Sequence, residues 1–279
     1  PELGIKEHLI IDSSGRIIET KVGSFFIARL EPKQSAQKIE YQQDILVSAA
    51  VKSPKKISDP YDTQEMSITF MNFGDFAIPQ SKRQKVKQQH NKTVIDISRD
   101  SAIPAGITLK SNRYSDDQAK QYLAATPFIQ SDSKQIKTAA TKAIGKTKQV
   151  NKIVRQLTNF VHSYLQDQYV PSYSNALESL KTKVGDCTEH SVLFVALARA
   201  VNIPARVAVG IAYWPPGDGF GWHAWSEVMI DGKWYSVDPT WNQVSADATH
   251  IKLADGGPAN QAKIVMLLGG LKIIDLTSK

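Results

Sequence analysis

The sequence predicts an α+β protein in which an antiparallel β domain precedes a second domain of helices packed on an antiparallel sheet. Three observations carry that prediction. Up to about Leu109 the chain reads as strand-like runs broken by turn residues. At Ser111-Asn112-Arg113-Tyr114-Ser115-Asp116-Asp117 it turns polar and then helical in period. Farther on, a helix that is apolar nearly all round is followed by a long hairpin. A chain of 279 residues has room for about two domains and a sizeable core. The division is expected as 1–110 for the β domain and 111–279 for the second.

Composition narrows the classes. Hydrophobic residues at 42% and charged residues at 22% suit a folded globular chain and exclude a disordered or fibrous one. The longest apolar stretches, 192–201 and 264–274, carry Arg199 and Lys272 and fall short of the ~20 residues of a membrane-spanning helix, so no span is expected. The net charge is +7, from 34 basic and 27 acidic residues. Its densest basic segment, 81–92, spaces its charges like the outer face of a strand and lacks aromatics for base stacking. A solvated face is expected there, and nucleic acid is not an expected partner. The chain starts at Pro1 without a charged segment followed by an apolar one, which fits a mature form; its location is not legible in the sequence, and an exported, periplasmic protein is one reading if a leader was removed.

In chain order, the first half shows strand-like runs at 7–11, 16–29, 38–52, 66–71 and 93–97. Turn signals separate them at Asp12-Ser13-Ser14-Gly15, Glu31-Pro32 and Ser53-Pro54. This half holds no motif that carries chemistry and reads as a structural or interaction domain. In the second half Val150, Ile153, Val154, Leu157, Phe160, Val161, Tyr164 and Leu165 form one stripe of an amphipathic helix. Asn175, with Glu178 three positions on, opens another helix. Gly145-Lys146-Thr147 resembles the end of a phosphate loop, but Ala140 stands where that loop needs glycine and a helix precedes it.

The single cysteine, Cys187, forbids an internal disulfide. The run around it reads as a helix with both ends marked. Gly185 permits a sharp entry, Asp186 is a good N-cap, Glu189 closes a capping box, and Asn202 and Pro204 end the helix. Cys187 then occupies the first helical position, where the dipole and unpaired amides favour thiolate and an ionisation below the ~8.5 of a free cysteine. Alone, Cys187 fits either a nucleophile or a small core residue; a partner decides.

That partner comes from the hairpin 221–241, whose Asp231-Gly232 turn sets a register pairing Ile230 with Lys233. Counting back, Trp225 lies opposite Asp238 and His223 opposite Thr240. His223 and Asp238 therefore share a face as diagonal neighbours, ~7–8 Å apart at the backbone. A slip of one residue would separate them. Cys187 as nucleophile, His223 as general base and acid, and Asp238 as the group that orients the imidazole make a triad for attack on a carbonyl carbon.

These residues resemble a known family. Gly185-Asp186-Cys187-Thr188-Glu189-His190, Ile203-Pro204-Ala205-Arg206-Val207 with Gly210, His223-Ala224-Trp225-Ser226-Glu227-Val228 and Val237-Asp238-Pro239-Thr240 are similar to the transglutaminase-like core of bacterial members. Asp247-Ala248-Thr249-His250-Ile251-Lys252-Leu253 is similar to a segment that follows it. The resemblance covers about 132–253 and implies a papain-like fold, with the Cys helix on an antiparallel sheet. It also implies thiol-dependent chemistry on a peptide, protein or other amide substrate through a thioester. No cofactor is implied, and there is no ligand run of the EF-hand type for calcium. We favour hydrolysis over transamidation, since no second site for an amine donor is legible in the sequence.

The resemblance also implies an oxyanion hole built from the Cys187 backbone N–H and an upstream donor. Some relatives use a Trp indole; here no Trp precedes Cys187, and Tyr169, Gln166 or Gln168 are the candidates. Trp214, Trp222 and Trp225 are candidates for a substrate cleft. His190 with Cys187 and His223 mimics a zinc set, but capping and hairpin geometry already account for these residues, so no metal is expected. Asp247 and His250 either contact the site from behind or are structural. A competing reading is a binding or assembly protein with a vestigial triad; another is a polyanion binder driven by the positive charge.

Overall fold

A computed structural model describes residues 7–22, 26–32, 50–71, 73, 76–168, 175–255, 264, 267 and 270–279. The first strands form an antiparallel meander: β1 (Glu7–Ile11), β2 (Ile17–Val22) and β3 (Phe26–Arg29). The run expected at 16–29 is thus two paired strands. Most of the run expected at 38–52 lies outside the described residues, and its end is β4 (Val51–Lys52).

A second sheet joins β5 (Glu65–Met71), β6 (Gln84–Gln89), β7 (Lys92–Ser98) and β14 (Lys272–Ser278) in the order β14-β5-β7-β6, all antiparallel. Alternation along β5 and β7 buries Met66, Ile68, Phe70, Ile95 and Ile97 on one face. β14 pairs Leu276 with Ile68 and Ser278 with Met66, so this sheet takes an edge strand from beyond residue 110 and crosses the expected division. In the basic segment Lys82, Lys85 and Lys87 are exposed as expected, but Arg83 and Gln84 are buried. Arg83 sits just before β6 and Gln84 is its first residue, and the carbonyls of Ala246 and Lys252 receive their side chains.

The third sheet contains β10 (Ala205–Trp214), β11 (Gly219–Ile230), β12 (Lys233–Val237) and β13 (Ile251–Asp255) in the order β12-β11-β10-β13, with β4 paired to the start of β11. Helices α1 (Asp116–Leu123), α2 (Lys134–Ile144), α3 (Val150–Tyr164) and α4 (Ala176–Thr182) precede α5 (Cys187–Ala200). α3 buries the expected stripe at Val150, Ile153, Val154, Leu157 and Val161. α5, buried from Glu189 to Arg199, packs on β11 and is flanked by α2, α3 and α4. Ser226 Oγ donates to the Ser191 carbonyl at 3.4 Å and ties helix to strand. This is the helix-on-antiparallel-sheet arrangement that the sequence predicts.

Two glycines are required by close approach. A Cβ on Gly210 would meet the Ile251 carbonyl oxygen at 1.9 Å, where β10 and β13 shift register. One on Gly185 would meet Glu189 Cβ at 2.2 Å. The expected role of Gly185 as a turn former is therefore replaced by a steric one: it has no positive φ and instead makes room for Glu189 to fold back over the helix start. Gly185→Ala is expected to destabilise the protein by about 1–3 kcal/mol by displacing that side chain, seen as a lowered urea midpoint with an unchanged slope.

Candidate active site

Cys187 is the first residue of α5 and is half-buried. The capping box is formed: Asp186 Oδ1 accepts from Thr188 N at 2.8 Å and Glu189 Oε2 accepts from Asp186 N at 3.0 Å. His190 Nδ1 lies 2.7 Å from the Asp186 carbonyl, to which it donates, so this imidazole pins the cap.

The opposing residues come from the hairpin. Asp231 (φ 50) and Gly232 (φ 74) both have positive φ, as a type I′ turn requires. The ladder runs Ile230↔Lys233 to Ser226↔Val237, the predicted register. β12 ends at Val237, so Asp238 bridges Gln243 rather than continuing the ladder. On the other side His223 pairs with Gly210 of β10. The shared face survives the end of the strand, and Asp238 Oδ2 lies 2.8 Å from His223 Nε2.

Asp238 is fully buried and every acceptor position is used. Oδ1 accepts from Thr240 N at 2.7 Å and Trp241 N at 3.2 Å, while Oδ2 accepts from His223 Nε2 and, at 3.2 Å, from His250 Nε2. His250 Nδ1 reaches Asp247 Oδ1 at 3.2 Å. Asp247 also accepts from the Thr249 backbone and hydroxyl and from Gln243 Nε2. The indole of Trp241 stacks on His223 with centroids 4.1 Å apart and planes 10° from parallel.

The second sheet and the residue before its β6 grip this loop. Arg83 donates to the carbonyls of Ala246 at 2.8 Å, Asp247 at 2.5 Å and His250 at 3.3 Å. The Gln84 side chain makes both backbone bonds of Lys252, each 2.8 Å. Asp100 Oδ2 accepts from Ser236 N at 2.9 Å.

Charges are set by these contacts. Burial opposes ionisation of Asp238, but His223 and His250 hold its carboxyl well below the ordinary range. Burial also works against a charged His250, yet Asp247 and Asp238 push it up to about 9. Asp247, despite burial, is held down to about 2 by His250, Thr249 and Gln243. Burial and neighbouring Glu189 push Asp186 up to about 7. For Cys187 the expectation of a lowered ionisation is corrected: burial, then Asp186, with Asp238 and Glu189 adding, push the thiol well above its ordinary range, while the Ala224 backbone amide facing the sulfur acts the other way. The helix end is as expected; burial and then the surrounding carboxylates outweigh it.

Among the described residues, the ligand atoms that converge are those of His223, Asp238 and His250, all within 4.8 Å of one another. Their separations are those of hydrogen bonds, with Asp238 Oδ2 serving both imidazoles, so they read as a proton network. His190, weighed as a zinc ligand, instead spends Nδ1 on a backbone carbonyl.

The remaining expected residues divide. Gln166 and Gln168 are exposed on and just after β8 (Gln166–Asp167), which runs parallel to β9 (Val184–Gly185); Gln168 N donates to the Gly185 carbonyl at 3.1 Å, two residues from Cys187. Tyr169 lies outside the described residues. Trp214 and Trp222 are half-buried, and a Cβ on Gly217 would meet the Trp214 ring at 2.5 Å. Trp225 is corrected as a cleft wall: it is 1% exposed, its ring 5.2 Å from that of His250, because the 246–250 loop covers that end of the sheet face. Sequence reasoning did not single out Trp241 or Arg83. Trp241 stands three residues after Asp238 in the Asp238-Pro239-Thr240 turn, a spacing that could have placed it, whereas nothing local marks Arg83.

Residues 134–239 match the family model of the Transglutaminase-like superfamily. Among solved structures, a protein from Cytophaga hutchinsonii described as a candidate cysteine protease is 18% identical, with 78% of this chain and 86% of that chain covered at a TM-score of 0.51. The periplasmic domain of TgpA from Pseudomonas aeruginosa is 15% identical, with 72% and 74% covered at a TM-score of 0.45. No curated protein matches the sequence. Residues 134–239, which hold the Cys helix and most of the sheet behind it, are thus the part of the chain similar to the Transglutaminase-like superfamily.

Proposed function

We propose that this chain is a cysteine-dependent hydrolase that cleaves a peptide or other amide bond, with Cys187 as nucleophile, His223 as general base and acid, and Asp238 as the group that orients His223. The observation that carries this reading is the bond between His223 Nε2 and a fully buried, fully engaged carboxylate. It fixes the tautomer with the proton on Nε2, so Nδ1 is the nitrogen that can take a proton from the thiol. The Ala224 amide next to His223 faces the Cys187 sulfur, which sets helix start and strand against each other at that point. The family match is consistent with thiol chemistry in general.

The chemistry follows. His223 Nδ1 takes the thiol proton as Sγ bonds to the carbonyl carbon, and the Cys187 backbone N–H with a donor from 166–169 meets the developing oxyanion. The carbon–nitrogen bond breaks, and the amine leaves with the proton from His223. Water then attacks the thioester, giving one proton to His223; that proton returns to sulfur as the carboxylic acid departs. Trp241, stacked on the imidazole, keeps one ring face from water.

Two outcomes test this. Because Cys187 is the only thiol, iodoacetamide alkylation reports on it alone; its rate should rise with pH through a midpoint above that of free cysteine, and His223→Ala should slow it at least about tenfold near pH 8. A rate indifferent to His223 would sink the triad. In a screen of peptide amides, amine release should be lost in Cys187→Ala and fall roughly ten-thousand-fold in Asp238→Asn, with product partitioning unchanged by added primary amines. Amine-dependent products would make the enzyme a transamidase instead.

A further inference from the structure

We propose that His250 is a positioning residue for this reaction: a doubly protonated imidazole held between Asp238 and Asp247, it fixes the carboxylate that orients His223 and offsets its charge. The inference rests on the acyl-transfer reading above and deepens it.

The geometry is specific. Both ring nitrogens of a fully buried His250 face carboxylate oxygens, Nε2 toward Asp238 and Nδ1 toward Asp247, each at 3.2 Å. The other partners of those carboxylates are all donors: the amides of Thr240 and Trp241 and the ring of His223 on Asp238, and Thr249 and Gln243 on Asp247. Both carboxyls are therefore acceptors. A neutral imidazole could donate to one and would turn a lone pair on the other, which a dry site does not tolerate. Only the imidazolium satisfies both, and the upward shift of His250 agrees with this.

The consequence reaches the thiol. Asp238 is shared by His223 and His250, so the charge of His250 offsets the carboxylate nearest the base. Without that offset, an uncompensated Asp238 disfavours the Cys187 thiolate, which Asp186 and Glu189 already disfavour. The charged and titratable groups facing His250 are Asp238, Asp247 and His223. Behind the loop lies Arg83, on the His250 carbonyl, with its own partner Asp100; Tyr61 lies across Trp241. At the start of α5, Asp186 and Glu189 act on Cys187, and Asp238 acts on His190. An imidazolium at His250 also explains how two ionised carboxylates are buried within one short loop.

Two measurements on the full chain test this. Ring nitrogen NMR of the unaltered protein should show His250 doubly protonated at pH 7, and Asp247→Asn should let it lose that proton at lower pH. In parallel, the pH profile of Cys187 alkylation should move upward by about one pH unit in His250→Gln, because removing a nearby cation disfavours thiolate. A purely structural role would lower the melting temperature and leave the profile where it was; that result overturns the proposal. If His223→Ala leaves alkylation unchanged, the acyl-transfer reading fails and this one with it. A profile that responds to His223 but not to His250 overturns only the present inference. Should His250→Gln fail to fold, the NMR result decides: a neutral ring at pH 7 overturns the proposal and an imidazolium that responds to Asp247→Asn carries it.

Discussion

Removing a carboxylate from water completely costs several kcal/mol unless its charge and lone pairs are met by protein, and Asp238 is such a group. Two backbone amides and two imidazoles meet it. Much of the surrounding architecture follows from supplying those four donors. The strand must stop at Val237 so that the chain can fold Thr240 and Trp241 back onto Oδ1. β11 must arrive in register to bring His223, and a further loop must supply His250. A shift of one residue in the hairpin would leave the carboxylate facing the wrong side of the sheet with no partners.

The N-terminal sheet belongs to the same requirement. The loop 246–250 has little regular structure of its own, so its carbonyls need donors from elsewhere. Arg83 and Gln84 supply them from β6 and the residue before it, and Asp100 adds a bond to Ser236 at the start of the site. A strand formed near residue 275 completes that sheet. Segments from before and after the core thus join in one sheet beside the stretch that carries the buried charges. This is a physical reason for a motif-free half to accompany the core, and it differs from a separate interaction module joined by a linker.

What could be read from the sequence was what short-range chemistry determines. Asp231-Gly232 can hardly be anything but a tight hairpin turn, and the turn fixes every pair as far as Val237. Asp186 and Glu189 flank the helix start at the spacing a capping box needs, and the apolar circumference of α5 announces its burial. Such signals lie within a dozen residues. Arg83 could not be separated from its exposed neighbours Lys82 and Lys85, because its partners are carbonyls more than 160 residues away. β14 was illegible for the same reason. Trp225 was placed on the correct face, but what covers that face is a loop whose path depends on the other sheet. His250 was legible as a candidate only, since its role depends on two carboxylates meeting it from different sides.

The environment of Cys187 shows which effect wins when local and tertiary electrostatics disagree. A helix N-terminus favours a thiolate by about 0.3–2 kcal/mol, or little more than one pKa unit. One charge within ~4–6 Å shifts a pKa by about 1–3 units, and desolvation adds its own penalty against the anion. Cys187 is disfavoured as an anion by burial and by Asp186, Asp238 and Glu189. The carboxylates and burial together exceed the helix contribution, so the resting sulfur holds its proton. Under the proposed reading, nucleophilicity is then generated during attack, by transfer to an imidazole whose free nitrogen is set by its bond to Asp238. On that reading the strength of the base depends on how much negative charge Asp238 retains, and the two imidazoles on that carboxylate make it a determinant of the proposed reaction's rate.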